Sequence, residues 1–570
     1  MFIKVTKSGP RRYAQLVESF RNDAGQPRQR TVCTLGRLEA GGEVDALIGA
    51  LQRARGAQAA AVANQLDGLR FIDSRCAGDV WALSQLWRAL GFDELAAAWR
   101  RSRAEVDVLA CLRAMVFNRL CDPASKLGVL RWLDAVALPV NFGFADVPPQ
   151  HQHLLRAMDV LDEHSAALGT RLATLMRPLI DEDLSVVFYD LTTAEVSAEA
   201  VVADDVRAFG QSKSGVVERQ FVLSLVQTAE GLPITDEVHP GNIAEGRTLL
   251  PMIKSLLARY ALKRVVLVAD RGLVSVNNLD ELTQLQAALT REGRAVSLEY
   301  ILAVPAARYG EFADDLRTIA AQQPSEQAWV GQTSWQRRRL VIANDPEVAA
   351  RRTQMRNAAI HELLALGQQW GGKLDAQDAG SRRRGRPLSD SGAKARFYHA
   401  VKAAHLAHLI KVDLQAQAFS FTIDEDKQRY LELLDGKLLL VTNTDAPAAE
   451  VVARYKSLAD IERGFRVLKS DIEIGAVYHR LPQRIRAHAL VCFMALILYR
   501  VMRMRLKANR REESPSRLLE QLQRIHQQTA RTTDGKTLHG LTEMSAAQKS
   551  LFAGLELPIP TPADLSKPVL

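Results

Sequence analysis

A chain of 570 residues has material for two to four domains with large cores. Apolar residues make up 47% and charged residues 24%, the balance of an ordinary folded protein and not of a disordered or membrane-embedded one. Lys plus Arg number 74 against 65 Asp plus Glu, a net charge of +9 and a pI near 9.3, which favours a polyanionic partner.

In chain order, residues 1–40 read as a small basic β-sheet. Phe2 to Val5 and Tyr13 to Phe20 have strand patterning, Asn22-Asp-Ala-Gly25 supplies turn geometry, and a third run ends at Leu35-Gly36. Arg11, Arg12, Arg21, Arg28 and Arg30 make this unit basic. The opening Met-Phe-Ile-Lys-Val-Thr-Lys lacks the apolar core of a signal peptide. Residues 41–180 read as a helical region of several elements. Val80 to Leu90, Val106 to Leu120 and Leu127 to Leu138 carry apolar residues at three and four spacing, punctuated by Pro123 and Asn141-Phe-Gly143.

The period changes at about 181. Leu184 to Tyr189 and Arg264 to Ala269 are continuous apolar runs of the kind a sheet buries on both faces. Gln220 to Gln227 and Pro233 to Val238 flank Glu-Gly-Leu as a hairpin, helices are expected over 248–260 and 276–289, and Glu299 to Val304 is a further strand. This mixture predicts an α/β fold with a mixed sheet over 181–304. Residues 305–435 interrupt it as an insertion, with a basic loop at 371–395 rich in Gly, Ser, Asp and Arg. A strand resumes over 437–442, and Asp445 and Pro447 suit the start of a helix running through Leu468. That second part of the core, 436–510, contains the apolar stretch 487–501, which includes His488 and Arg500. It is too short to span a bilayer and predicts a buried core helix, with no membrane partner. Residues 511–570 are read as a C-terminal tail. The five cysteines, at 33, 76, 111, 121 and 492, form no Cys-x-x-Cys pair and suggest reduced thiols, not a disulfide frame or zinc site.

Three acidic residues carry the chemical argument. Asp190 ends the run Ser-Val-Val-Phe-Tyr, Asp270 ends Arg-Val-Val-Leu-Val-Ala, and Glu462 lies between Tyr455 and Lys469 at seven-residue intervals, nearly two helical turns. Carboxylates are the oxygen ligands that a pair of Mg²⁺ or Mn²⁺ ions needs to flank a phosphodiester, while Tyr455 and Lys469 can grip the phosphate. Each residue has a plainer reading. Asp190 can cap the segment Leu-Thr-Thr, Asp270 with Arg271-Gly272 can form a turn, and Glu462 can pair with Arg466 one helical turn on.

Tyr455-x2-Leu458-x3-Glu462-x6-Lys469 resembles the Tyr-x2-Arg-x3-Glu-x6-Lys signature of bacterial insertion-sequence transposases with an Asp-Asp-Glu triad. Tyr189-Asp190-Leu-Thr-Thr193 resembles the family's first-aspartate segment and Val268-Ala-Asp270-Arg-Gly272 its second. Glu245-Gly-Arg-Thr248, Arg486-x-His488 and Asn118-Arg-Leu-Cys-Asp-Pro-Ala-Ser-Lys126 also fit. One departure is Leu458, where the family has arginine; the phosphate contact is then lost or passes to Arg454, Lys456 or Arg463.

The resemblance implies an RNase H-like mixed-sheet core interrupted by a largely β insertion and preceded by a DNA-binding role for the helical region 41–180. It implies two Mg²⁺ or Mn²⁺ ions held by Asp190, Asp270 and Glu462, hydrolysis at the transposon end, and attack of the freed 3′-hydroxyl on target DNA. The partners it implies are terminal inverted repeats and target DNA, engaged by a homodimer in the bacterial cytoplasm without a nucleotide cofactor. An RNase H-like nuclease, or a domesticated DNA-binding protein without strand transfer, is the alternative. Lys469, Tyr455, Arg466 and Arg271 are the expected phosphate contacts near the triad.

Other DNA-facing candidates lie further off. Arg384-Gly-Arg386-Pro387 matches the core of an AT-hook, which lays arginines in a narrow minor groove, though a flexible charged loop reads the same way. Arg119 and Lys126 can contact end sequences or simply be solvated. Trp329 and Trp335, beside Arg337 to Arg339, can stack a flipped base or pack in a core.

Overall fold

The computed structural model describes residues 2–8, 11–21, 27–37, 69–100, 107–144, 149–180, 187–196, 205–211, 217–260, 262–269, 276–323, 327–380, 388–458, 466–475 and 477–565. Strands β1 (Phe2–Ser8), β2 (Arg11–Arg21) and β3 (Pro27–Arg37) form an antiparallel meander, as their patterning predicts. Ala14 and Val17 of β2 are buried. Strand β4 (Leu69–Cys76) follows, then helices α1 (Gly78–Ala89), α2 (Val108–Cys121), α3 (Lys126–Ala135), α4 (His151–Glu163) and α5 (Ser165–Met176). Side-chain caps set two of the starts: Asp107 accepts from the Ala110 amide and Ser125 from the Gly128 amide. The bundle core includes Trp87, edge-on to Phe92 and Phe117 at 5.2 and 5.9 Å.

The central sheet has nine strands. Strands β5 (Val187–Glu195), β6 (Ala208–Gln211), β7 (Val217–Thr228) and β8 (Pro233–Pro240) come first. Helix α6 (Leu249–Arg259) leads to β9 (Arg264–Ala269), and helix α7 (Val276–Arg291) to β10 (Ser297–Ala303). Strand β5 runs antiparallel to β7 and parallel to β9, and β9 runs parallel to β10. Parallel neighbours need a helical crossover, and α6 and α7 lie in those connections. Val265 to Ala269 are all at most 2% exposed, which is why this strand reads as an unbroken apolar run.

After helix α8 (Ala313–Ala321), the hairpin of β11 (Trp329–Trp335) and β12 (Arg338–Asn344) joins the same sheet. The rest of the expected insertion is mainly helical: α9 (Pro346–Asp378), α10 (Asp390–Ala403) and α11 (Glu425–Leu434), with one two-stranded sheet, β13 (Ile410–Val412) and β14 (Phe421–Ile423). The largely β insertion is therefore corrected. Ile360, Leu363, Gly367 and Leu374 of α9 are buried at helical spacing, and Ile360 and Leu363 share a core with Phe397 of α10. The basic loop also shrinks, since Gly371 to Asp378 continue α9 and Asp390 to Ala395 open α10. Strand β15 (Lys437–Thr442) returns to the sheet between β12 and β10.

Helix α12 (Ala448–Lys456) follows, then α13 (Pro482–Ala508), which packs among α2, α4 and β8. Helix α13 is long and apolar enough to cross a membrane by length and composition, but 89% of its most apolar window is buried inside the protein. It is the core helix that the apolar stretch predicts. Residues 511–565 are folded, not a tail: α14 (Pro515–Leu522), β16 (His526–Thr532), β17 (Thr537–Leu541) and α15 (Ala546–Gly554). Strand β16 lies between β17 and β4. So β4 is also a correction to an all-helical 41–180 region, because its partner stands some 450 residues away.

Candidate active site and nucleic-acid interface

The frame of the site is the junction of β5 and β9. Their parallel register pairs Val187 with Leu267, Phe188 with Val268 and Tyr189 with Ala269. The residue after Tyr189 is Asp190, which sits within β5 opposite Leu225 of β7. The residue after Ala269 is Asp270, which lies outside the described residues. Tyr189 is fully buried, and its hydroxyl donates to the Thr248 hydroxyl at 2.5 Å. Thr248 stands at the N-cap of α6 and is itself 0% exposed. Through this bond the Glu245-Gly-Arg-Thr248 segment locks the strand position adjoining Asp190.

Helix α12 lies across the sheet beside these strands. Val451 and Val452 pack with Val266 and Val268 of β9 and Ile301 of β10, and Tyr455 leans on the same cluster. The helix stops at Lys456 instead of running through Leu468. The Ser457 hydroxyl donates to the Arg454 carbonyl at 2.7 Å, a local bond that competes with the helical ladder. Helical geometry is found again at Leu458 and over 466–470. Tyr455 and Lys469 therefore do not share one unbroken helical stripe. Glu462 lies outside the described residues, but buried anchors flank its segment: Leu458 on one side and Val467 and Leu468 on the other. Arg466 and Lys469 are exposed.

Leu458 is 5% exposed and belongs to the α12–sheet core. A leucine here is a packing residue, and an arginine in its place would be buried. Among the substitutes considered for its phosphate contact, Arg454 is paired with Glu450 at 2.6 Å and Lys456 lies 3.6 Å from Asp345; Arg463 lies outside the described residues.

Several expected DNA contacts are relocated. Arg119 is 6% exposed, and its guanidinium donates to the carbonyls of Ala124, Ile472 and Glu473. It is a buried strut joining α2 to the chain after Lys469, not a solvated helix-surface residue. Lys126 is likewise buried, at 5% exposed. Trp329 is 8% exposed, with the Lys437 ammonium 5.7 Å from its ring centre. Trp335 is half-buried and packs at 5.4 Å on Phe312. Core packing accounts for both indoles and leaves neither as an open stacking platform. Arg338 is tied to Asp280 at 2.5 Å, and Arg339 donates to the carbonyls of Thr444 and Ala446. Arg271, Arg384 and Arg386 lie outside the described residues. Among the described residues no three His, Cys, Asp or Glu side chains are grouped to hold a metal ion.

Residues 3–63 match the N-terminal domain of IS1634 family transposases, and residues 210–498 match the transposase DDE domain. The second match spans half of the chain and includes Asp270 and Glu462, while Asp190 lies upstream of it. No curated protein matches the chain. A mixed α/β domain with this signature defines the class, a transposition enzyme acting on DNA. The chain belongs to the DDE transposases of insertion sequences.

Proposed function

We propose that this transposase cleaves the ends of its element and joins the freed 3′-hydroxyls to target DNA, with Asp190, Asp270 and Glu462 as its carboxylate triad. The observation that carries the reading is the parallel pairing of Tyr189 with Ala269. It sets the positions directly before the two aspartates side by side, and neighbouring strands are about 4.8 Å apart. Asp190 and Asp270 each follow directly on that pair in the chain, one Cα–Cα step of about 3.8 Å away. The packing of α12 on β9 supports the approach of the segment that carries Glu462.

The strand sequence supports an RNase H-like core: an antiparallel β5–β7–β8 unit continued by β9 and β10 parallel to β5. The donor set is all carboxylate, with no His or Cys in the three segments, and this fits hard divalent cations. Two such ions held by the triad would supply the Lewis acidity that activates water and stabilises the leaving oxygen. Lys469, Arg466 and Tyr455 would orient the terminal phosphates, and Arg271 would stand beside the second aspartate. The partners are then the terminal inverted repeats and the target duplex, held by a dimer in the cytoplasm.

The test is end cleavage and strand transfer in vitro with the native element ends and Mg²⁺. Asp190→Ala, Asp270→Ala and Glu462→Ala should each abolish cleavage while leaving end binding largely intact, since each variant keeps the cationic side chains that hold the phosphates. Wild-type cleavage by any one of them removes that residue from the triad. Cleaved ends without joined products would instead favour a nuclease lacking strand transfer.

A further inference from the structure

Helices α2, α3 and α4 and residues 473–488 enclose a half-open cavity of about 560 Å³. Three helices begin at its wall. Helix α3 starts at Lys126 behind its Ser125 cap, α4 starts at His151, and α13 starts behind Leu481; all of these residues line the space. A helix start presents unpaired amide hydrogens and a partial positive charge. Arg119, Lys126, Arg480 and Arg484 also line the cavity, against one carboxylate, the exposed Glu473. Asp159 neutralises Arg484 through two bonds of 2.8 Å. Lys126 makes no hydrogen bond or ion pair with any described residue, although it is 5% exposed. His488 is 6% exposed; its Nε2 donates to the Ile474 carbonyl at 3.0 Å, and Nδ1 is left without a partner among the described residues.

Burial and the positive charge of Arg119 push Lys126 down to about 7. Burial, with Lys126 and two arginines near, takes His479 down to about 3. With Arg484 neutralised by Asp159 and Arg119 bonded to carbonyls, the buried Lys126 is the cationic group whose burial an incoming negative charge would offset. Tyr478, at 72% exposed, stands on the lining of the same cavity. An aromatic face beside an anion cradle matches both parts of a nucleotide, since any base can stack on it. The wall is also coupled to β5: Val477 donates its amide to the Glu195 carbonyl at 3.0 Å. Glu195 is five residues beyond Asp190, on the order of 16 Å along the strand.

We propose that this cavity is a subsite for one unpaired nucleotide of the DNA end, its phosphate seated at Lys126 and the start of α3 and its base stacked on Tyr478. The proposal rests on the reading of the chain as an end-processing transposase. It adds a recognition element for distorted or frayed ends, where a nucleotide is free to leave the duplex at low cost.

Fluorescence anisotropy with the full chain tests it, comparing blunt duplexes with duplexes that end in three unpaired nucleotides, in EDTA. Wild type should prefer the unpaired ends. Lys126→Met and Tyr478→Ala should each weaken binding to unpaired ends by about tenfold and leave blunt duplex unchanged. Thermal unfolding verifies that both variants are folded; Met is close in length to Lys and removes the buried charge, and Tyr478 is exposed. Equal losses on both DNAs, or no loss in either variant, overturn the proposal. So does calorimetric binding of deoxyadenosine monophosphate that Lys126→Met abolishes while DNA affinity stays intact, because the cavity would then serve a free nucleotide. With divalent cations withheld, the result is independent of the triad, and cleavage by the triad variants is scored separately.

Discussion

Leu458 occupies the position where the family resemblance leads one to expect an arginine, and its surroundings explain the difference. It is packed among Val266, Val268, Ile301 and Val451, so a guanidinium there would be desolvated without a partner. Leu458→Arg should therefore not restore a phosphate contact; it should cost about 3 kcal/mol or more, read by urea denaturation. A second residue-scale prediction concerns Asp79, fully buried at the start of α1, whose Oδ1 accepts from the Val80 amide and whose carboxylate has the Cys121 thiol as a second, weak donor. Burial raises its carboxyl to about 6. The folded state thus binds the proton more tightly than the unfolded chain, whose carboxyl titrates near 4. Stability falls as pH rises from about 4 to about 6 and stays reduced above. Asp79→Asn removes this penalty, so it should stabilise by on the order of 2 kcal/mol at pH 8 and by little at pH 4. Denaturation curves at the two pH values check it, and an equal gain at both would refute the titration argument. Neither environment was legible in the chain. Leu458 reads as a departure from a motif because its burial depends on β9 and β10, far away in sequence.

At the scale of elements, β9 and β15 matched their apolar runs to the residue and β7, β8 and β10 to within a few residues, because a strand buried on both faces reads as an apolar run and turn residues mark where a hairpin reverses. Strand β4 was hidden because its partner β16 lies 450 residues further on, whereas α14 did carry a legible signal: Leu518, Leu519 and Leu522 at helical spacing form its buried face. The Ala77 and Gly78 amides both donate to the Ile525 carbonyl, and Leu518, Leu519 and Leu522 of α14 are buried. Gly78 is required at this seam: a Cβ there would lie 2.4 Å from the Leu522 carbonyl oxygen. Gly78→Ala should cost about 2 kcal/mol through the forced shift of α14. Deletion of residues 511–570 should lower the melting temperature by about 10 °C or more, or yield aggregate, because it strips the partner strand from β4. A truncated protein that melts like the full chain would show that the segment is dispensable.

For the molecule as a whole, the protein class was more legible in the sequence than the geometry. Three acidic segments, a basic surface and an interrupted α/β pattern lead to a DNA transposase, and residues 210–498 match that domain. The burial of Arg119 was invisible because its partners are backbone carbonyls, of Ala124 nearby and of Ile472 and Glu473 far along the chain, which no side-chain pattern encodes. The excess of +9 predicts a measurable property of the intact protein: affinity for non-specific duplex should fall at least tenfold between 50 and 200 mM salt. A flat salt response would mean that the surplus lysines and arginines are spent on internal ion pairs.

The pairing of β4 with β16 also sets a clock. Cys76 and His526 are neighbours, yet 450 residues of synthesis separate them. At ribosomal speeds of about 5–20 residues per second, the first helices wait roughly 20 to 90 s for the strand that closes over them. Throughout that interval β4 lacks its partner strand, and apolar surface left open in this way favours aggregation. Copies of the gene carrying a late stop codon or frameshift would release a chain that can never seal itself, a natural substrate for proteolysis, so quality control would select for intact reading frames.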